Sequence, residues 1–254
     1  MIRFRRRRLI KKPIPFVKLF PNVVTLFGLI VGVNSLRFAF ESMWENSLYC
    51  VLIATIIDGI DGRVARFLNA TSHFGAELDS LCDLVNFGLC PAIIIYLWSF
   101  EQDQFKIISW AVVMFFMVCM AIRLARFNTT ISSNSNCKTG DYFFQGVPAP
   151  TGAMLALIPI ILDFQIGEIF DVKIAEYLPL VYFYIVCISL LVASRLPTFS
   201  MKKIQVKPEY LSLVMMGLAI TMIAIYIYTW YFLPIAGILY LISIPFCIYA
   251  SKRN

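Results

Sequence analysis

Eight runs of apolar residues, most of them near twenty long, fix what this chain can fold into. A bilayer core is crossed by about 20 predominantly apolar residues in a helix, and helices satisfy their own backbone polar groups where there is no water. The runs lie near Phe20–Phe40, Ser47–Leu68, Phe74–Phe100, Ile107–Phe127, Val147–Leu162, Ile174–Ala193, Tyr210–Trp230 and Phe232–Ala250. The fifth is short and carries Pro148, Pro150 and Pro159, and the last two are joined tightly. No cleavage pattern follows the first run, so it is kept as a helix. With 60% hydrophobic and 15% charged residues and a mean hydropathy of +0.79, a water-soluble globule is excluded, since such domains are roughly half apolar and about a quarter charged. The expectation is an all-α integral membrane protein of about eight transmembrane helices. Six of the seven Cys fall in or beside apolar runs, which reads as buried free thiols and not as a disulfide framework.

The net charge of +7 would suggest nucleic acid as a partner in a soluble protein. Sorted by alternate ends of the eight runs, however, 19 of the 22 Lys and Arg fall on one side, and Arg37, Lys106 and Lys173 alone fall on the other. Lysine and arginine collect on the cytoplasmic side, so both termini are placed there and nucleic acid is not needed to explain the charge. Residues 1–19, basic with Phe4, Leu9, Ile10, Phe16 and Val17 interspersed, read as a cytoplasmic segment that can lie on an anionic leaflet. The polar stretch Asn128–Gln145 is the longest loop and the best place for a mobile lid.

Ionisable groups in membrane helices are costly and usually functional. Asp58 and Asp61 fall near the cytoplasmic end of the second run, and Asp79 and Asp83 early in the third. Asp58 precedes Phe67 by nine residues, about 14 Å of depth at 1.5 Å per residue. At about 100° per residue, Asp58, Asp61, Gly62 and Ala65 share an arc of about 100°, and Gly75, Asp79, Asp83 and Asn86 one of about 80°. A short turn over Asn69–His73 makes the two helices antiparallel, so four carboxylates converge. Four anions share a low-dielectric site only if cations neutralise them or their pKa values rise, and a ligand set of carboxylates alone suits Mg²⁺, Mn²⁺ or Ca²⁺ rather than Zn²⁺. Small residues at Gly62, Ala65 and Gly75 leave room for a bulky group, and with Arg63 or Arg66 nearby a pyrophosphate fits. Two other readings stand beside this one: carboxylates paired with Arg only to hold the bundle together, and a cation transporter.

Asp58 to Asp83 reads DGIDGRVARFLNATSHFGAELDSLCD, which fits D-x2-D-G-x2-A-R-x8-G-x3-D-x3-D without a gap. This resembles the signature of the CDP-alcohol phosphotransferase family, whose core is a six-helix membrane bundle that transfers a phosphoryl-linked group from a CDP ester to a hydroxyl acceptor and releases CMP. Pro21-Asn22 with Thr25, LVNFGLCPA (Leu84–Ala92), RLARFN (Arg123–Asn128) and FQGVPAPTGA (Phe144–Ala153) are similar to the branch of membrane-integral phosphatidylserine synthases, whose acceptor is L-serine. The resemblance implies a core over residues 20–193, with a basic cytoplasmic loop over 194–209 and an accessory helix pair and basic tail over 210–254. It implies Asp58, Asp61, Asp79 and Asp83 as metal ligands, Asp83 also as general base, and two divalent ions, Mg²⁺ or Mn²⁺ ahead of Ca²⁺. Asn22, Thr25, Gly62, Ala65, Arg66 and Gly75 would serve the nucleotide. CDP-diacylglycerol and L-serine would be the substrates, in a homodimer in a bacterial plasma membrane with the active site on the cytoplasmic side. Arg123 and Arg126, three apart on the fourth helix and so neighbours, are candidates for the serine carboxylate, with Asn86 helping. Pro148 and Pro150, beside Gly146 and Gly152, would break the helix near a polar cavity. His73 sits in the turn, outside the signature's fixed positions. Glycerol phosphate or inositol phosphate is the alternative acceptor, though each would require more cationic groups in the pocket.

Overall fold

The computed structural model describes residues 19–68, 70, 72–100, 105–133, 143–170, 174–199, 216–217, 220 and 227–253. Seven long helices lie among them: α1 (Phe20–Phe40), α2 (Trp44–Phe67), α3 (His73–Phe100), α4 (Lys106–Ser133), α5 (Ala149–Phe170), α6 (Leu178–Ala193) and α7 (Thr229–Arg253). The expected segment 1–19 up to Lys18, the loop 194–209 beyond Phe199 and most of the span Tyr210–Trp230 lie outside the described residues. By length and composition α1, α3 and Lys106–Thr129 of α4 can each cross a membrane, and Ala149–Gln165, Leu178–Ala193 and Thr229–Pro245 are shorter apolar helices. The 24-residue α2 is long enough but carries Glu45, Asp58, Asp61, Arg63 and Arg66. This is the construction of an integral membrane protein.

The first two helices form a tight antiparallel hairpin. Pro21 sits in the first turn of α1, where a missing N–H costs nothing, and the reversal is made at Ser42, which takes φ 57°. Small residues at Gly28, Gly32, Ser35 and Ala39 are buried along α1, and Ser47 Oγ donates to Ser35 O at 2.9 Å to tie the hairpin together. α3 begins at Ser72, whose Oγ accepts from Gly75 N at 3.0 Å, an ordinary N-cap. His73 is therefore the first residue of the helix and not part of the turn. α3 has two π-helical stretches, Leu84–Leu89 and Tyr96–Phe100. Pro91 follows the first of them, and its ring and missing N–H disturb the carbonyl of residue 87, which a wider turn accommodates.

Among the described residues the fold is helical apart from one ribbon. β1 (Phe143–Gln145) pairs antiparallel with β2 (Pro197–Phe199), Phe143 opposite Phe199 and Gln145 opposite Pro197. Gly146, at φ 84°, continues it by donating its N–H to Leu196 O at 3.0 Å. The ribbon pairs backbone that enters α5 with backbone that leaves α6. α4 runs on to Ser133, so the expected Asn128–Gln145 loop is shorter at both ends, and residues 134–142 lie outside the described part. Pro148 precedes α5 and Pro150 falls in its first turn, so they start that helix. The sixth helix starts at Leu178, after a 3-10 turn at Ile174–Glu176, with Pro179 in its first turn.

The packed interior is formed chiefly by α3, α4, α5 and α6, with Phe87, Phe116, Met120, Leu155, Ile160 and Ile185 fully buried. At the end of the bundle away from the carboxylates, Asp163 of α5 gathers loose polar groups. Its Oδ2 accepts from Trp98 Nε1 at 3.2 Å, and its Oδ1 accepts from Ile174 N and Ala175 N. Ser99 Oγ donates to Ala175 O at 2.7 Å. One carboxylate thus ties α3, α5 and the turn before α6. Asp163→Ala is expected to destabilise the protein by about 1–3 kcal/mol, the cost of stranding its donors, read as a lower unfolding temperature in detergent, with Asp163→Asn losing less.

Candidate active site

Two short-range features of the sequence bring the site together. The hairpin turn at Glu41–Met43 lays α1 along α2, and the short link after Phe67 returns the chain as α3. Carboxylate oxygens of Asp58, Asp61 and Asp79 lie within 4.8 Å of one another. Asp83, one turn further along α3 from Asp79, meets Asp58 side chain to side chain. All four carboxylates therefore converge, as the spacing on the two helices requires. Among the described residues the one ion pair is Arg37–Glu41, at the other end of the α1–α2 hairpin, so no Arg or Lys there neutralises the cluster by direct contact.

Asp61 is 4% exposed, and Thr25 of α1 points its hydroxyl at it. Thr25 Oγ1 donates to Asp61 Oδ2 at 2.7 Å and also approaches Pro21 O at 3.1 Å. Thr25 was expected on the nucleotide side, and its position beside Asp61 adds the holding of one carboxylate. Asn22, on the preceding turn of α1, lies against Gly75: a Cβ there would stand 2.9 Å from Asn22 Oδ1. Gly62 faces open space, with nothing within 4 Å of where a Cβ would be. Ala65 is half-buried and Arg66 exposed on the following turn of α2. These six residues thus lie along α1, α2 and the start of α3, towards the end of the bundle where α2 links to α3.

A small cleft below the carboxylates is lined by Thr25, Asp58, Asp61, Cys82, Asp83 and Asn86, among others. Asn86 is 4% exposed, its Oδ1 has no hydrogen-bond partner, and its amide fills the place where Gly32 has no side chain. It belongs to the π-helical stretch of α3. Arg123 Nε donates to Val147 O, just before α5, while its guanidinium lies within Coulombic range of Asp83 and Asp58. Arg126 turns elsewhere: it donates to Ala193 O at 2.6 Å and to Ser194 O at 3.4 Å, the exposed carbonyls at the end of α6. The two arginines are neighbours on α4, and their hydrogen bonds go to different carbonyls, those of Val147 and of Ala193 and Ser194.

Sequence reasoning missed two contacts here. Ser80, next to Asp79, exchanges hydrogen bonds with Asn128 of α4 at 2.9–3.2 Å. Tyr240 of α7 comes within Coulombic range of Arg123. Ser80 stands at a variable position of the signature, and nothing in the spacing of α7 signals its register against α4.

The family described as CDP-alcohol phosphatidyltransferase matches residues 18–181. A relative from Mycobacterium bovis is 31% identical over 236 residues, 93% of this chain and 80% of its own length. One from Helicobacter pylori is 40% identical over 151 residues, 59% of this chain and 61% of its own. One from Methanocaldococcus jannaschii is 35% identical over 184 residues, 68% of this chain and 81% of its own. Each of the three is named CDP-diacylglycerol–serine O-phosphatidyltransferase.

An oxygen-only set of three carboxylates fits a hard divalent cation. Residues that orient metal ligands are worth roughly 10–100-fold in affinity. Thr25→Val, which keeps the shape and removes the hydroxyl, is expected to weaken Mn²⁺ binding by calorimetry by about tenfold. Thr25→Ser should retain it.

Proposed function

The chain belongs to the CDP-alcohol phosphatidyltransferase family, and from that membership we propose that it is a CDP-diacylglycerol–serine O-phosphatidyltransferase. The phosphatidyl group of CDP-diacylglycerol passes to the hydroxyl of L-serine, and CMP leaves. The observation that carries this reading is the convergence of Asp58, Asp61 and Asp79, with Asp83 against Asp58, inside an apolar bundle at the family's own signature spacing. The relatives' shared name and their coverage of most of this chain support serine as the acceptor.

Each residue has work that its position supports. Asp58, Asp61 and Asp79, with Asp83 beside them, would hold divalent cations, Mg²⁺ or Mn²⁺ ahead of Ca²⁺. When bound, such ions supply charge neutralisation for the pyrophosphate and for the departing phosphate. Asp83 accepts the proton of the serine hydroxyl as its oxygen forms a bond to the β-phosphorus and the bond from that phosphorus to the CMP oxygen breaks. Gly62, with open space above it, and Ala65 leave room for cytidine, which Asn22 and Gly75 flank. Arg66, on the exposed rim, reaches for phosphate. Thr25 fixes Asp61.

For the acceptor, Arg123 is the better-placed of the two arginines. Its Nε is committed to Val147 O, which holds the side chain still and leaves the rest of the guanidinium facing Asp83 and Asp58. A fixed guanidinium suits a carboxylate, and serine brings one. A phosphate-bearing acceptor calls for more cationic groups than Arg123 alone. Asn86, with an unused amide oxygen at the floor of the cleft, is close enough in the fold to assist. Arg126 is left with a helix-capping task.

The reading extends to the whole molecule. Residues 20–193 form the six-helix catalytic core and 210–254 an accessory pair, making eight spans in a homodimer of a bacterial plasma membrane. The 19-to-3 division of Lys and Arg supports cytoplasmic termini and a cytoplasmic active site.

Purified protein given CDP-diacylglycerol and a divalent cation is expected to release CMP with serine and not with glycerol phosphate or inositol phosphate; release with either phosphate acceptor alone would reassign the substrate. Asp83→Asn should keep CDP-lipid binding and lose turnover by about 10²–10⁴-fold, the usual contribution of a general base. Arg123→Ala should raise the apparent KM for serine while leaving that for CDP-diacylglycerol unchanged. Arg126→Ala should instead lower the unfolding temperature.

A further inference from the structure

The last helix, α7, lies outside the family match at residues 18–181, yet it brings one polar group to the acceptor side of the site. Gly237 sets the placement: a Cβ there would stand 3.2 Å from Leu155 Cδ2 and nearer still to Ile158, so α7 is seated closely against α5. Tyr240, one turn further along α7, borders the same hollow as Pro150 and Thr151 in the first turn of α5. That turn follows Val147, whose carbonyl holds Arg123 Nε. The Tyr240 hydroxyl is shut off from solvent and lies within Coulombic range of the Arg123 guanidinium, as do Asp83 and Asp58. A phenol and the proposed general base are thus gathered about one guanidinium.

The acceptor of the proposed reaction is an amino acid, and its carboxylate has to be held close to four others. Arg123, with Nε occupied by Val147 O, has only its terminal nitrogens left to donate. A second cation at this place would pair with Asp83 and Asp58 and compete for the oxygens that the chemistry needs. A neutral O–H donor carries no such cost. A phenol keeps its proton at neutral pH and donates to an anion without adding charge. Its bond to an ionised acceptor is also stronger than one between neutral groups. We propose that Tyr240 is a specificity-determining residue for the acceptor, its hydroxyl donating to the serine carboxylate that Arg123 holds. The inference rests on the serine reading above and deepens it. One cation and one neutral donor read the carboxylate, and the accessory helix takes part in choosing the acceptor.

Tyr240→Phe keeps the ring and removes the hydroxyl. In the full-length protein it is expected to raise KM for serine by about tenfold, the scale of one hydrogen bond to a charged group, and to leave KM for CDP-diacylglycerol within about twofold of wild type. Serinol, which has the amine and hydroxyl of serine but a second CH₂OH in place of the carboxylate, separates recognition from architecture. Its inhibition constant against serine should stay within about twofold in the variant, because it has no carboxylate to lose a partner. An unchanged KM for serine, or equal weakening of serine and serinol, overturns the proposal. A second measurement needs neither turnover nor loss of the hydroxyl. With 3-fluorotyrosine in place of Tyr240, the fluorine resonance should move when serine is added and stay in place with serinol; no movement, or equal movement with both, overturns the proposal. Arg123→Ala keeps the two readings apart. If it leaves KM for serine unchanged, the assignment of the carboxylate to Arg123 fails; if it raises that KM and Tyr240→Phe does not, the role of Tyr240 alone fails. Absence of CMP release by wild-type protein with any acceptor would sink the transferase reading, while the fluorine measurement still decides whether Tyr240 meets a carboxylate.

Discussion

Three carboxylates within 4.8 Å of one another, with Asp83 against one of them, repel in an apolar bundle, and both their neighbours and the medium make the charge expensive. The arrangement of α1, α2 and α3 follows from holding that cluster together. α1 and α2 form a hairpin drawn close by small residues and by the Ser47–Ser35 bond, and α3 is started at a fixed place by the Ser72 cap. Thr25 then reaches from the first helix to Asp61 on the second. Repulsion of this kind is relieved by positive charge, which a divalent cation held by these carboxylates would supply. The rest of the bundle, with its large apolar interior in α3 to α6, supplies the stability that the carboxylate end gives up.

Polar groups are concentrated at two levels with different consequences. At the carboxylate level they are few, aimed at one another, and bordered by open space at Gly62. At the opposite end, Asp163 accepts from Trp98, Ile174 and Ala175, so its oxygens are used in holding backbone and side chain in place. Asp163 is thus tied into the architecture by three donors, whereas Asp58, Asp61 and Asp79 gather around one another. Arg123 and Arg126 divide in the same way, one turned to the carboxylates and the other to the end of α6.

Much of this was legible in the sequence because it depends on periodicity along single helices. The start and end of α1 agree with the apolar run, and the meeting of Asp58, Asp61, Asp79 and Asp83 follows from two helical faces and a short turn. The family was legible from the fixed positions of the signature between Asp58 and Asp83. What depends on contacts between distant segments was not. The β1–β2 ribbon needs the entry to α5 and the exit of α6 to lie side by side, and three-residue strands leave no alternation to read. The separate duties of Arg123 and Arg126 turn on which carbonyls lie opposite α4. The packing of α7 against α2 and α5 depends on aromatic stacking at Trp230 and a glycine contact at Gly237, neither of which has a pattern in its own segment.

The wide turn at Leu84–Leu89 changes how α3 can be read along its length. A π-turn takes one extra residue into the helix, so positions after it are rotated out of phase with those before it. Angular bookkeeping started at Gly75 is sound to Asp83 and drifts by Asn86. The helix therefore behaves as two spliced lengths. One is phased to present acids to α2, and the other is phased to bury Ile94, Ile95 and Trp98. Because the splice absorbs the mismatch, the acidic half and the packing half of the same helix can each keep its own orientation.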